Sequence, residues 1–268
     1  MRLFSIRLNF LLFLLALTAT PLFADDKKES RVFLAADQWC PYNCEIDGNP
    51  PGYVVEIARE AFRRHGHDLV YIQAPWERSL YEVRAGRYDG VIGAIKDEAP
   101  DLTYPQESVG LSSIMLAVRS DNNWTYKEPS DFKGMRIGIV PGFSYGDPID
   151  NYFATDNVKI TRLYAKQPLQ QSLQLLAANR LDLVLDDETV MRYTIKKLQM
   201  DELVKFAGLA DEAVPLFIGF TPKSARGKTL ASQLSDGIRA MRLDGTLAKI
   251  LQRYGLNDWN PTLKKGSK

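Results

Sequence analysis

Hydrophobic residues along the first part of the chain change between the spacing of a strand and the spacing of a helix. Short apolar runs at 31–36, 68–73 and 88–95 predict strands. Between them, apolar residues that recur on one helical face at 53–65 and 75–85 predict helices. Strands that alternate with helices form a largely parallel sheet covered by helices on both faces. The pattern therefore predicts an α/β fold.

The alternation continues through the rest of the chain, around a polar and turn-rich stretch at 122–134. The further predicted strands are 114–118, 136–140, 181–185 and 215–220. The further predicted helices are 148–153, 168–179, 189–198 and 225–254. We interpret the polar stretch as a connection between two lobes.

A short internal echo also favours two similar lobes. SLYEVRAGRYD at 79–89 and SLQLLAANRLD at 172–182 share Ser, Leu, Arg and Asp at the same offsets, and coincidence is the alternative. In open α/β sheets ligands bind beyond the carboxyl ends of the strands. Lys96 follows the strand of the first copy, and Asp186 and Asp187 end that of the second. If the lobes face each other, these charges approach across a cleft and could hold a zwitterion.

The first 24 residues have the pattern of a secretory signal peptide, although an uncleaved membrane anchor is an alternative. Arg2 and Arg7 give a basic start, an apolar run follows at 10–19, and Ala24 precedes a charged stretch. Cleavage there leaves 244 of the 268 residues, with 32 Lys and Arg against 33 Asp and Glu. This balance does not indicate a nucleic-acid binder. We expect an exported, soluble protein with one large or two small domains.

Cys40 and Cys44 are the two cysteines of the chain. In an oxidising compartment, so close a pair most simply forms a local disulfide. A redox-active pair usually has two intervening residues, whereas three separate these. A metal site would need further ligands, and His65 and His67 lie at a predicted helix end. We therefore predict a structural disulfide, no metal site and no cofactor.

Ordered motifs over nearly the whole mature chain resemble the family 3 extracellular solute-binding proteins, the periplasmic receptors of polar amino-acid ABC transporters. Each motif is weak alone, but their order and spacing are specific. They are DQW at 37–39 with PY at 41–42, PGYVVEI at 51–57, PW at 75–76, GRYDG at 86–90, FKG at 132–134 with RIGI at 136–139, NRLD at 179–182, and MRLDGTLAKI at 241–250.

The resemblance implies a type II periplasmic binding protein fold, with two α/β lobes joined by a two-strand hinge. The implied division is lobe 1 at 31–118 and 218–259, lobe 2 at 119–217, and a C-terminal tail at 260–268. Chain crossings are then expected near 118–120 and 217–220. Members close their lobes around a ligand and dock on a membrane permease. The resemblance thus implies a periplasmic monomer that binds a small amino-acid-like solute and delivers it to an ABC permease.

The resemblance also implies ligand contacts from both lobes. In lobe 1, Trp39 would cover the ligand and Asp37 would contact its amine. In lobe 2, Asp187 falls on the aspartate that binds the α-amino group, a charge-assisted contact. Helix or turn capping is the alternative for both Asp37 and Asp187. We expect Asp186 to be exposed.

The turn GFSYG at 142–146 would open a lobe 2 helix. Family members use the free backbone N–H groups of this turn to bind a carboxylate, which makes Ser144 and Tyr145 candidates. A plain turn is the alternative for Tyr145. Aromatic residues indicate a pocket suited to an apolar or cationic group. These aromatic residues are Trp39, Trp76, Phe143 and Tyr145.

One departure puts standard α-amino-acid recognition in doubt. Members of the family usually clamp the α-carboxylate with an arginine after the first-lobe strand, and Ala99 falls near that position. Lys96 at the strand end, or Arg78 at the start of a helix expected to face the cleft, could substitute. A solvated position is the alternative for Arg78, and a core aromatic is the alternative for Trp76.

Enzymes on the same fold include small dehydratases and the sensing half of some peptidoglycan-cleaving enzymes. The second class needs a catalytic domain, and we expect no residues to remain for one. A serine or cysteine hydrolase needs a histidine base, and both histidines are expected on a surface turn. We therefore predict a binding protein rather than an enzyme. A stand-alone sensor or accessory binding protein is the main alternative, and a dehydratase-like enzyme is the weaker one.

Overall fold

The structure is a computed structural model that describes residues 30–155 and 157–260. The predicted signal peptide at 1–24 and nearly all of the predicted tail at 260–268 lie outside the described residues. Among the described residues, no helix combines the length and apolar character that a membrane crossing requires.

Strands and helices alternate along the described chain as the hydrophobic pattern predicted. The strands are β1 (Arg31–Ala36), β2 (Asp68–Gln73), β3 (Gly90–Ala94), β4 (Gly110–Ser112), β5 (Ile114–Arg119), β6 (Arg136–Ile139), β7 (Lys159–Arg162), β8 (Leu183–Asp187), β9 (Val204–Leu209) and β10 (Val214–Phe220). The α-helices are α1 (Tyr53–Arg63), α2 (Trp76–Arg84), α3 (Asp147–Phe153), α4 (Pro168–Ala177), α5 (Glu188–Lys197), α6 (Ala225–Asp244) and α7 (Thr246–Gln252).

The strands form two five-stranded sheets with the same design. The first has the order β2-β1-β3-β10-β4 and the second the order β7-β6-β8-β5-β9. In each sheet three strands are parallel, because β1 pairs with β2 and β3, and β6 pairs with β7 and β8. A fourth strand, β10 or β5, then runs antiparallel beside them. We call the part of the chain around the first sheet lobe 1 and the part around the second sheet lobe 2.

The chain crosses between the lobes at other positions than we predicted. All of β5 pairs within the second sheet from Ile114 onward, and all of β10 pairs within the first from Val214 onward. The crossings therefore precede these strands, whereas we predicted them near 118–120 and 217–220. An apolar strand is equally compatible with either sheet in sequence, so its pattern did not show which sheet it joins.

The internal echo reflects the same local structure in both lobes. Asp89, just before β3, accepts the backbone N–H of Phe33 in β1 at 2.9 Å. Asp182, just before β8, accepts the backbone N–H of Arg136 in β6 at 2.8 Å. Each carboxylate also holds an arginine, Arg226 or Arg136. The repeated aspartates thus tie equivalent neighbouring strands together.

The amphipathic face of α1 lies in the core of lobe 1, with Val54, Ile57 and Phe62 fully buried. Helix α6 packs against this helix at very short range. A Cβ atom on Gly237 of α6 would lie 2.5 Å from the Cβ of Ala61 in α1, so the packing requires glycine there. The single helix predicted at 225–254 is divided into α6 and α7 by Gly245, whose φ of 81° ends the first helix.

Candidate ligand-binding site

A cleft of about 580 Å³ separates the two lobes, and both supply its walls. Lobe 1 contributes α2 and the loops that follow β1 and β3. Lobe 2 contributes the turn before α3, the end of β8 and the loop between β9 and β10. The predicted site residues that line this cleft are Asp37, Trp39, Trp76, Phe143, Ser144, Tyr145 and Asp187.

Side chains on the cleft wall connect the two lobes directly. Trp39 in lobe 1 donates its indole N–H to Oδ1 of Asp186 in lobe 2 at 2.9 Å. The Tyr42 hydroxyl shares its proton between the Leu111 carbonyl at 2.7 Å and Oδ2 of Asp187 at 3.2 Å. The edge of one ring meets the face of the other where Trp39 contacts Phe143, with centroids 6.4 Å apart. These contacts exist only while the lobes are together.

The disulfide loop fixes the position of Trp39. Cys40 and Cys44 are bonded, as predicted. The backbone of Trp39 exchanges two hydrogen bonds with Asn43, at 2.8 and 3.1 Å. Its ring stacks on Tyr42, which is buried, with centroids 4.7 Å apart. A short cross-linked loop therefore presents the indole to the cleft with little freedom to turn.

Asp187 performs the capping role that we gave as its alternative. Its Oδ1 accepts the backbone N–H groups of Thr189 and Val190 at the start of α5, at 2.8 and 3.1 Å. The residue is 1% exposed, and this burial raises the pKa of Asp187 to about 6. Because cap donors and Tyr42 occupy the carboxylate, the predicted contact with a ligand amine stays a prediction.

Asp186 is buried, so our expectation that it is exposed was wrong. It is 4% exposed and accepts both the Trp39 indole N–H and the backbone N–H of Asp187. Burial, reinforced by the charge of Asp187, raises the pKa of Asp186 to about 7. β8 is the central strand of the second sheet and all five of its residues are buried, so neither face of the strand end is open to solvent.

The GFSYG turn at 142–146 holds one of the chain's own carboxylates. Asp150 in α3 accepts the backbone N–H of Tyr145 at 3.0 Å and the hydroxyl of Ser144 at 2.7 Å. Ser144 Oγ in turn accepts the backbone N–H of Gly146 at 3.2 Å. Tyr145 is 2% exposed and its hydroxyl accepts the N–H of Val140, as a plain turn would require. Two of the donors predicted for a ligand carboxylate, the N–H of Tyr145 and the hydroxyl of Ser144, are therefore occupied.

Neither cation that we predicted as a substitute for the missing arginine lines the cleft. The Lys96 ammonium lies over the ring of Phe217, 4.3 Å from its centroid, and near Tyr104. Arg78 is exposed on α2, whereas Trp76 on the same helix does line the cleft. Ala99, at the expected arginine position, is 1% exposed. The rings of Phe217 and Tyr104 in lobe 1 hold the Lys96 ammonium outside the cleft. The position of Lys96 at the end of a predicted strand did not indicate these contacts.

The lining of the cleft is strongly acidic, which the sequence analysis missed. Among the described residues the one basic side chain that lines it is Arg84, and Asp101 neutralises it at 2.8 Å. The eight carboxylic acids of the wall are Asp37, Asp97, Glu98, Asp147, Asp186, Asp187, Asp211 and Glu212. Three acidic pairs in this set end or follow strands, which was the available sequence signal.

Asp37, the amine contact that we predicted in lobe 1, lines the cleft. Among the described residues, no side chain donates a hydrogen bond to its carboxyl group. Its backbone carbonyl accepts from the Asn43 amide at 2.7 Å, which fixes the backbone. The surrounding protein raises the pKa of Asp37 to about 7, although part of the residue stays exposed to the cleft.

Comparison with known proteins supports the same fold and family. Residues 32–257 match the family profile of the bacterial extracellular solute-binding proteins, family 3. The L-cystine-binding protein TcyJ of Escherichia coli (strain K12) is 25% identical over 215 residues, which cover 78% of this chain and 75% of TcyJ. An ancestral arginine-binding protein bound to arginine superposes with a TM-score of 0.71 at 17% identity, over 84% of this chain and 98% of the other.

A solved structure concerning glutathione import via GshT and the cystine ABC importer TcyBC of Streptococcus mutans gives a TM-score of 0.71 at 20% identity. It covers 85% of this chain and 98% of the other. These superpositions confirm the predicted type II periplasmic binding protein fold. Because the family profile spans nearly all of the described residues, the chain belongs to the family 3 bacterial extracellular solute-binding proteins.

Proposed function

We propose that the protein binds a small amino-acid-like solute between its lobes and delivers it to an ABC permease from the periplasm. The observation that carries this proposal is the cleft of about 580 Å³ with walls from both lobes. Its volume lies within the usual range for small-ligand sites, roughly 300–1,000 Å³. Half-buried Trp39, Trp76 and Phe143 supply apolar faces, as ligand pockets of this size require.

The proposal includes closure of the lobes on the ligand, with the protein acting as a monomer and without a cofactor. The cross-lobe bonds from Trp39 to Asp186 and from Tyr42 to Asp187 belong to the closed arrangement. A ligand that binds this arrangement better than an open one shifts the population toward it. In place of the lobe boundaries that we predicted, 31–118 with 218–259 and 119–217, the strand pairing supports crossings before β5 and β10.

The relatives support the part of the proposal in which the solute is delivered to an ABC permease. TcyJ is named as a binding protein for L-cystine, and the Streptococcus mutans structure is described together with an ABC importer. Membership of the same family supports a periplasmic location and an inner-membrane permease as partner. A sensor without a transporter would bind ligand equally well, so uptake by cells that lack the protein separates these two functions.

A thermal-shift and calorimetry screen of small solutes tests the proposal. We expect at least one solute to raise Tm with concentration, because binding to the folded state adds RT ln(1 + [L]/Kd) to its stability. Trp39→Phe keeps an aromatic ring but removes the donor to Asp186, so it should weaken binding about tenfold.

Trp124→Phe is the matched control, because Trp124 packs on Phe132 in the core of lobe 2 and does not line the cleft. We expect this variant to bind the solute like the wild type. Chemical turnover of a bound solute, or equal affinities for the Trp39 and Trp124 variants, would contradict a receptor that closes on its ligand.

A further inference from the structure

In the part of the chain that the structure describes, no basic side chain neutralises the acids of the cleft. Among the described residues, none of the eight carboxylic acids on its wall takes part in an ion pair, while Arg84 is already paired with Asp101. Lobe 1 contributes three of these acids and lobe 2 contributes five, so like charges face each other across the gap. Closing the lobes without a cation brings these acids together, and burial and repulsion then raise the pKa of Asp37, Glu98 and Asp186 to about 7.

Two of these acids, Asp186 and Asp187, are buried as well as uncompensated. Asp186 is 4% exposed, lies on the cleft wall and accepts only neutral N–H donors, the Trp39 indole and the Asp187 backbone. A buried carboxylate without a cationic partner is costly, and a positive group placed beside it recovers much of that cost. The burial of Asp186 is therefore a second indication of a cationic ligand, independent of the number of acids.

Among the described residues, the groups that we predicted to hold a ligand carboxylate are either occupied or lie outside the cleft. Asp150 occupies the N–H of Tyr145 and the hydroxyl of Ser144 in the turn at 142–146. Ala99 is buried at the expected arginine position, and Lys96 lies over Phe217 outside the cleft. A ligand carboxylate would thus meet acidic neighbours without a compensating cation, which strongly disfavours its binding.

The arrangement of the acids favours several separate positive groups over one metal ion. Nowhere in the described ranges do three or more His, Cys, Asp or Glu side chains form a group that could hold a metal. The acids stand on separate segments around the cleft. Between them, the faces of Trp39, Trp76 and Phe143 can stack on methylene groups or on cations.

We infer that the ligand of this cleft is a small organic cation with two or more amine or guanidine groups and no free carboxylate, of the linear diamine or polyamine class. This inference rests on the proposed function, because it takes the cleft between the lobes as the binding site. Compared with the amino-acid-like solute that we expected, this ligand has the amine group but lacks the carboxylate. The cation neutralises facing carboxylates and so favours the closed lobes.

Calorimetry with matched pairs of probes tests the inference. Cadaverine is lysine without its carboxylate, agmatine is arginine without its carboxylate, and spermidine carries a third amine. We expect cadaverine, agmatine and spermidine to bind at least about tenfold more tightly than lysine and arginine. We expect added salt to weaken their binding, since it screens charge pairs. Equal or tighter binding of lysine or arginine overturns the inference.

Variants of single acids show whether the charges of the cleft wall contribute to this binding. At pH 8, above the pKa of about 7 of Glu98 and of Asp37, Glu98→Gln and Asp37→Asn each remove one negative charge from the wall. We expect each variant to weaken spermidine binding several-fold. Asp68→Asn, at an exposed position of β2 that does not line the cleft, should leave it unchanged. If all three variants bind spermidine with equal affinity, the amines do not contact the acids of the cleft wall and the inference is contradicted.

Further probes separate failure of the inference from failure of the proposed function. Binding of cystine, lysine or arginine with no binding of the three amines would leave a solute receptor but overturn the cationic ligand. Binding of calcium ions with no binding of amines would also overturn it, in favour of a metal. If no probe binds, the inference fails, and a wider solute screen then decides the proposed function.

Discussion

At the residue scale, the contact between Trp39 and Asp186 connects the most constrained loop of lobe 1 to the end of β8 in lobe 2. The disulfide between Cys40 and Cys44 and the stacking on Tyr42 hold the indole in place. Its N–H then reaches a carboxylate that is almost fully buried, where a charge-assisted bond is strong. The Trp39 side chain thus contacts both the lobe interface and an acid of the cleft wall.

The raised pKa of Asp186 leads to a prediction for the ligand-free protein. Burial places the pKa of Asp186 at about 7, against about 3.9 in an unfolded chain. Between these values the folded state binds more protons than the unfolded state, so the free energy of unfolding falls as pH rises from about 4 to 7. The neighbouring charges that face Asp186 are those of Asp187 and Asp37, which act in the same direction.

Melting temperatures of wild type and Asp186→Asn at a series of pH values between about 5 and 8 check this prediction. Asparagine keeps an oxygen that can accept from Trp39 Nε1 but does not ionise, so the variant should gain stability relative to wild type as pH rises. A difference between the two proteins that stays constant over this range would contradict the raised pKa.

At the element scale, much of the fold could be predicted because strands and helices carry their own periodicity. Central strands such as β1 matched the predicted bounds, and the echo at 79–89 and 172–182 anticipated the common design of the sheets. Three strands, β4, β7 and β9, were missed. They lie at sheet edges, where one side meets solvent and the hydrophobic pattern is weak.

The site was less predictable than the fold, because its side chains depend on partners from distant elements. The resemblance placed Trp39, Trp76 and Phe143 on the cleft wall. It did not show that Asp150 fills the turn at 142–146, or that Lys96 turns toward Phe217. Local sequence specifies the backbone of a turn, whereas the charge around it is set by how two lobes come together.

A further prediction concerns the turn at 142–146 where it touches α2. Gly142 has a φ of 80°, and a Cβ there would lie 2.6 Å from Cγ of Glu77 in lobe 1. Gly134, also in lobe 2, has a similar φ of 76° but open space around it. Alanine strains the backbone at both positions by roughly 1–2 kcal/mol, but only at position 142 does it press on the other lobe.

We therefore expect Gly142→Ala and Gly134→Ala to lower Tm by comparable amounts. Only Gly142→Ala should weaken ligand binding, by a few-fold, because Glu77 must move before the lobes can close. Calorimetry of both variants with the same ligand measures this difference. Equal affinities would show that the contact between the turn and α2 does not influence closure.

At the scale of the whole molecule, two lobes of the same topology present acidic walls to a common cleft. Repulsion between facing carboxylates acts over roughly a Debye length, about 8 Å at physiological salt, so it matters only when the lobes approach. A cation between them reverses the sign of the interaction. The charge of the cleft therefore couples recognition of the solute to closure of the lobes.

Small-angle X-ray scattering of the protein titrated with cadaverine, and in parallel with lysine, tests this coupling most directly. We predict that cadaverine reduces the radius of gyration in a saturable way, and that lysine at the same concentrations has little effect. The Glu98→Gln variant should need more cadaverine for the same change, because its wall has lost one charge. An unchanged radius of gyration with saturating cadaverine, or a larger decrease with lysine, would contradict closure on a cation without a carboxylate.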